Sequence, residues 1–193
     1  MENVLIVSSS KTAAQSLANF FSDTFGCTPK ATESAYQAIN LLEKDSSVEI
    51  AVINSPLMDG SGVELAEHIV SDTLAYCILV MKRENAEKIE ERAEKNGIIV
   101  VGKPFSRELF YKVVRTIDIT IGRSYKLYQE TLRLENKINE IKTIDKAKFM
   151  LMQYKEMTEA EAHTYIEQCA MNKRKKKNIV ALEIIDKINE QYL

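Results

Sequence analysis

The stretch AVINSPLMDGSG, residues 51–62, decides the fold of the first part of the chain. It continues an apolar run that starts at residue 48, and it ends in a loop that contains Asp59, Gly60 and Gly62. A short apolar run bounded by turn residues is typical of a strand that is buried on both faces. The predicted strand ends at Asn54, so an amide and not a carboxylate is expected where the loop begins.

Similar apolar runs on both sides of this stretch predict a parallel sheet. They are NVLIV (3–7), YCILVM (76–81) and GIIVVG (97–102), with a weaker candidate at CTPKAT (27–32). Amphipathic segments separate the runs, at residues 12–25, 34–44, 62–72, 85–96 and 106–119. This alternation predicts an α/β fold with a doubly wound five-stranded parallel sheet of the flavodoxin-like type, whose ligand crevice lies at the carboxyl ends of the strands.

Composition narrows the class of protein. The 193 residues are 45% hydrophobic, which is enough to bury a core. No apolar run reaches the roughly 20 residues needed to cross a bilayer and no secretory signal is present, so we expect a cytoplasmic protein without membrane contact.

The three cysteines are widely spaced, which favours neither a disulfide framework nor a metal site. Without a nucleophile, zinc or nucleotide-binding motif, no enzyme activity, cofactor or metal is expected.

The sign of the charge changes along the chain. Residues 1–121 hold 12 Lys and Arg against 17 Asp and Glu, whereas residues 122–193 hold 14 against 11. A positive C-terminal part favours a polyanionic partner.

Two segments of the first part, INSPLMDGSGVEL (53–65) and VVGKPFSRELF (100–110), resemble the receiver domain of the response regulators of bacterial two-component systems. The resemblance covers residues 1 to about 121. In active members of this family, two acids after the first strand hold Mg²⁺, an Asp at the end of the third strand accepts phosphate, and a Ser or Thr ends the fourth. This chain has Ser8, Ser9, Asn54 and Met81 at those places and retains only Lys103.

The resemblance therefore implies a degenerate phosphorylation pocket, that is, a pseudo-receiver. Two hydroxyls and an amide carry no charge to offset the desolvation of Mg²⁺, and an amide is no nucleophile for phosphoryl transfer. We expect Lys103 to be solvated or bonded to the amide. Asp59 belongs to the loop beyond the strand and is not expected to replace the missing acceptor. Gly60 and Gly62 lack the frame of a dinucleotide site.

After residue 121 one long helical pattern begins. Residues Leu127, Thr131, Leu134, Ile138 and Ile141 recur at spacings of four and three, which is a heptad seam. The seam predicts a coiled-coil linker over residues 122–145 that pairs two copies of the chain. Docking of this stripe against the chain's own terminal helices is the alternative.

Residues 144–186 resemble the ANTAR domain, a small three-helix RNA-binding module of transcription antitermination regulators. The matching positions are Ala147, Lys148, Leu151, Met152, Glu161, Ala162, Ala170, Met171, Asn172, Val180 and Ala181. Thr158 and Glu161 have the spacing of a capping box, which predicts the start of the second helix. Phe149, Glu167 and Gln168 depart from the family pattern, which has a glycine and basic residues there. The resemblance places an ANTAR-type all-α domain at residues 146–193.

The segment NKRKKKN (172–178) puts five consecutive basic residues at the predicted turn between the second and third helices. Clustered cations gain affinity for RNA by releasing counterions from phosphate, although a run of this kind is by itself usually solvated surface. The predicted RNA-binding residues are Lys148, Asn172, Lys173, Arg174, Lys175, Lys176 and Lys177. Tyr154 and Tyr165 are further candidates for contacts with RNA bases.

Together the resemblances imply a dimeric transcription antitermination regulator that binds stem-loops in mRNA leaders. Its receiver-like domain is expected to be regulated by a protein partner, or to serve as a dimer interface, and not to be phosphorylated. A protein-interaction scaffold that uses the coiled coil and the helical tail is one alternative. A DNA-binding response regulator is another, although the tail lacks a convincing recognition helix.

Overall fold

The computed structural model describes residue 1 and residues 3–192, without the side chain of residue 192. The chain divides into two compact units, Met1–Ser124 and Tyr125–Leu193. Residues 2 and 193, which the predicted domains 1–121 and 146–193 include, lie outside the described residues.

A five-stranded parallel sheet forms the centre of the first unit. Its strands are β1 (Val4–Ser8), β2 (Lys30–Thr32), β3 (Ile50–Asn54), β4 (Tyr76–Lys82) and β5 (Ile98–Lys103). They are arranged in the order β2-β1-β3-β4-β5, and every neighbouring pair is parallel. The predicted doubly wound sheet is confirmed. β2 is a three-residue edge strand in which Lys30 and Ala31 are exposed and Thr32 is half-buried, which explains its weak apolar pattern.

Helices cover both faces of this sheet. They are α1 (Lys11–Phe25), α2 (Ala35–Lys44), α3 (Gly62–Asp72), α4 (Arg83–Lys95) and the beginning of α5 (Arg107–Lys155). Because successive strand residues point to opposite faces, each strand contributes to two cores. Ile53 packs in the core on the α2–α4 side, whereas Val52 packs with Phe21 and Phe110 on the side of α1 and α5. Serine hydroxyls cap the N-termini of α1, α2 and α3.

Helix α5 continues from Arg107 to Lys155 without interruption. It therefore crosses the residues at which the sequence predicted domain boundaries, 121/122 and 145/146. No proline lies in this range, and the single interior glycine, Gly122, disfavours a helix by only about 1 kcal/mol.

The second unit is a three-helix domain, as predicted. The end of α5 packs with α6 (Glu159–Lys173) and α7 (Lys177–Tyr192) around a core that includes Ala147, Leu151, Ile166 and Val180. The predicted capping box is present, because Thr158 and Glu161 each bond to the other's backbone N–H. Within the described residues, no helix is both long enough and apolar enough to span a bilayer.

Candidate regulatory pocket and nucleic-acid interface

The carboxyl ends of three strands place Ser8, Asn54 and Lys103 in one hydrogen-bonded group. In the strand register, Ser8 of β1 lies opposite Asn54 of β3. The Asn54 Nδ2 donates to Ser8 Oγ at 2.8 Å, and the Lys103 Nζ donates to Asn54 Oδ1 at 2.7 Å. Lys103 also donates to the backbone oxygen of Ser55 at 2.8 Å. The amide is thus held at both ends, and Lys103 is the only charged member of the group.

The environment of Lys103 disfavours its charged form. Burial lowers the pKa of Lys103 below its ordinary value, and the neighbouring Lys82 cation lowers that pKa further. Lys82 lies directly opposite Lys103 in the β4–β5 register. Among the described residues, no carboxylate forms an ion pair with Lys103. An ammonium held only by neutral oxygens can still accept an anion.

The other two residues predicted for the degenerate pocket lie apart from this group. The Ser9 hydroxyl donates to the backbone oxygen of Pro56 at 3.0 Å. Met81 is buried in the core cluster on the α2–α4 side together with Leu79. Its predecessor on β4, Val80, lies opposite Asn54 in the register. Because neighbouring strand residues face opposite ways, Met81 is directed to the other face of the sheet.

The loop after β3 has a structural use for Asp59 and Gly62. The Asp59 carboxylate accepts the backbone N–H groups of Ala35 and Tyr36, at 2.9 and 3.0 Å, at the N-terminus of α2. These bonds lower the pKa of Asp59. A Cβ on Gly62 would lie 3.0 Å from the Ser55 Cβ, so this close approach favours glycine. Neither residue is bonded to Lys103.

The basic turn, residues 173–177, connects α6 and α7 and is partly neutralised within the chain. Lys173 and Lys175 both form ion pairs with Glu183, and Lys177 pairs with Glu167. The two lysines lower the pKa of Glu183 to about 2. Arg174 and Lys176, in contrast, have no side-chain partner within the part of the chain that the structure describes. The acidic partners lie on α6 and α7. Glu167 departs from the family pattern in the sequence, whereas no sequence signal marks Glu183.

A surface depression of about 490 Å³ lies at this turn. Four consecutive cations, Arg174 to Lys177, line it together with one acid, Glu167, and with Met171, which is 78% exposed. Arg174 ends α6 in the left-handed conformation, with φ of 52°. Asn172, which follows Met171 in the sequence, is exposed as well. Convergent cations around a depression can contact a phosphate backbone.

Lys148 does not join the basic turn. Its ammonium lies 2.9 Å from Asp145 and 3.0 Å from Glu159, the first residue of α6, and only 17% of its side chain is exposed. These bonds raise the pKa of Lys148. The turn follows the other end of α6, about 20 Å away at 1.5 Å per helical residue. Of the two tyrosines, Tyr154 packs against the core, whereas Tyr165 lines a separate surface groove.

The heptad seam is exposed in the second unit. Leu127 is 70% exposed and Leu134 is 53% exposed, and Thr131, Ile138 and Ile141 are exposed as well. The seam is therefore not covered by α6 or α7. Packing of the seam against these helices was the alternative to pairing between two copies.

The sheet order is that of a receiver-like fold, and it is followed by an all-helical second unit. Residues 132–185 match the family model of the ANTAR domain. The match begins within the segment predicted as a coiled-coil linker.

The chain is also similar to known proteins. The chain is 23% identical over 151 residues to the transcriptional regulatory protein PdtaR of Mycobacterium tuberculosis, and the match covers 72% of each chain. A two-component response regulator from Clostridium difficile is 20% identical with a TM-score of 0.54, covering 61% of this chain and 95% of that one. The receiver domain of an HD domain-containing protein from Pseudomonas fluorescens Pf-5 is 19% identical with a TM-score of 0.57, covering 65% and 92%. The structural matches establish the receiver fold alone.

Proposed function

We propose that the chain is a transcription antitermination regulator that binds stem-loops in mRNA leaders through the basic turn between α6 and α7. The single observation that carries this proposal is the cation-lined depression at residues 174–177, which lies within the segment matched to the ANTAR domain. Attraction of phosphate by clustered cations provides affinity, and the exposed Met171 and Asn172 are available for contacts with an unpaired loop. The similarity to PdtaR, a transcriptional regulatory protein, is consistent with this role.

Two copies act together in this proposal. The exposed seam from Leu127 to Ile141 pairs with the same seam of a second chain, because a heptad stripe of Leu and Ile buries apolar surface in a coiled coil. A dimer would present one basic turn to each of two adjacent stem-loops. Simultaneous attachment of both would increase the overall affinity.

Phosphorylation has no part in the proposed regulation. The group at the strand ends consists of a serine hydroxyl, an amide and a lysine, and these side chains do not fit Mg²⁺, which prefers anionic oxygens. We propose that a protein partner, or the receiver unit itself as a dimer interface, controls the RNA-binding unit.

A gel-shift experiment with a tandem pair of leader stem-loops tests the RNA proposal. The double variant Arg174→Gln/Lys176→Gln should bind at least about tenfold more weakly, because it removes two cations that no acidic side chain within the described residues neutralises. The matched control Lys44→Gln/Lys88→Gln removes the same charge from the first unit and should bind like the original chain.

Three outcomes would contradict the proposal. Equal binding by the turn variant would exclude these residues as the contact. Equal competition by duplex DNA would favour a DNA-binding regulator. Failure to bind any stem-loop at low salt would favour the interaction scaffold.

A further inference from the structure

A cavity of about 670 Å³ opens between α1 and the start of α5, at the carboxyl ends of β3, β4 and β5. Its volume falls in the range of roughly 300–1,000 Å³ that is usual for small-molecule sites. The cavity lies entirely within the first unit, and the proposed RNA function does not use it.

Two cations line this cavity without an acidic partner. Lys103 is bonded only to the neutral oxygens of Asn54 and Ser55. Arg107, in the first turn of α5, forms no ion pair within the described part of the chain. Lys82, across the strand pair from Lys103, adds to the local positive charge. Because a partly buried cation without a counter-charge is unfavourable, an anion in the cavity would be stabilised by both groups.

The cavity also has a preformed aromatic wall. The ring of Phe110 lies 5.0 Å from that of Phe20 and 5.3 Å from that of Phe105, measured between centroids. All three rings line the cavity. The Arg107 guanidinium lies 5.6 Å from the centre of the Phe20 ring, so a positive charge lies next to the aromatic wall. An inorganic anion would contact the cations and leave this wall unused.

We propose that the cavity binds a small aromatic organic acid. Its carboxylate contacts Lys103 and Arg107, and its ring packs against the phenylalanine wall. Asp23 of α1 also lines the cavity, and its negative charge favours a monoanionic carboxylate over a dianionic phosphate. The receiver fold would then sense a metabolite where other receivers accept a phosphoryl group. This inference does not depend on RNA binding, and the two can fail separately.

Binding is measured by NMR titration of the full-length chain with benzoate, 3-phenylpropionate and indole-3-acetate, each compared with its own primary amide. We expect saturable shifts of the backbone amide signals of Asn54 and Arg107 for at least one of the acids. The corresponding amide should bind at least about tenfold more weakly, which is the effect of losing about 1.4 kcal/mol of charge-dependent binding.

Variants on α5 locate the contact. Arg107→Gln removes one cation from an exposed position and should weaken the acid at least about fivefold, which corresponds to about 1 kcal/mol. Lys112→Gln removes a charge from the same helix outside the cavity and should leave the affinity unchanged.

The proposal is overturned if none of the three acids gives saturable shifts, or if an amide binds as tightly as its acid. An unchanged affinity of Arg107→Gln would also overturn it. Inorganic phosphate serves as a competitor, and displacement of the acid at equal concentration would show that the site recognises charge alone.

Discussion

The ammonium of Lys103 donates to the side-chain oxygen of Asn54 at 2.7 Å, so the end of β5 is bonded to an amide at the end of β3. The amide's nitrogen is bonded to Ser8 at the same time, so both ends of the Asn54 amide have a partner, whereas Lys103 has neutral acceptors and no counter-charge among the described residues. These bonds connect the carboxyl ends of β1, β3 and β5.

Incubation with acetyl phosphate and Mg²⁺ should add no phosphoryl group to the chain, because the Asn54 amide is not a nucleophile. Asn54→Asp should remain unmodified as well, since Ser8 and Ser9 still offer no anionic ligand to the metal. Intact-mass spectrometry measures both, with an active receiver domain as the positive control. A phosphoryl mass on the original chain would contradict the prediction.

Glu183→Gln should strengthen RNA binding. This substitution releases Lys173 and Lys175 from their common acidic partner, so two more cations become available to phosphate. The slope of log affinity against log salt should steepen by about 1 to 2, at about 0.7–0.9 per additional phosphate contact. Glu190→Gln, which removes an exposed acid from the same helix, is the matched control. If both variants behave alike, the ion pairs with Glu183 do not limit binding.

Glu183 should titrate with a midpoint near 2 and not near its ordinary value of 4.5, because Lys173 and Lys175 stabilise the carboxylate. A carboxyl whose pKa is lowered in the folded state contributes stability at pH values above the ordinary pKa. That contribution is lost as the pH falls from about 4.5 towards 2. Carboxyl carbon chemical shifts followed by NMR report the midpoint, and Lys173→Ala/Lys175→Ala should return it towards 4.5. A midpoint near 4.5 in the original chain would show that the pairs do not persist in solution.

The seam variant Leu134→Asp/Ile138→Asp should be monomeric in light scattering at concentrations at which the original chain is dimeric. Charges at these positions would be buried and unpaired in a coiled coil, whereas both side chains are exposed in the single chain and can be changed without disturbing its core. Asn136→Asp/Asn139→Asp introduces the same charges outside the seam and should remain dimeric. A dimeric seam variant would place the contact between copies elsewhere.

The parts of the fold that depend on local pattern could be predicted from the sequence. Runs such as residues 76–81 are apolar throughout because both faces of a central parallel strand are buried, and the capping box at Thr158 is a local motif. The meeting of Asn54 with Lys103 follows from the common edge at which parallel strands end.

Relations between separate helices could not be predicted in this way. Glu183 meets Lys173 and Lys175 only because α6 and α7 pack with a particular rotation about their axes, which periodicity does not specify. Lys148 faces Glu159 for the same reason and is removed from the basic turn. The cavity beside Phe20 and Arg107 likewise depends on the distance between α1 and α5, and no sequence pattern specifies this distance.

Arg174 ends α6 with a positive φ of 52°, a conformation that disfavours residues with a Cβ by about 1–2 kcal/mol and suits glycine. A glycine would terminate the helix with less backbone strain. It would also remove one of the two cations of the turn that have no acidic partner among the described residues. The junction is therefore a compromise in which some helix-end stability is given up in order to keep a guanidinium at the surface.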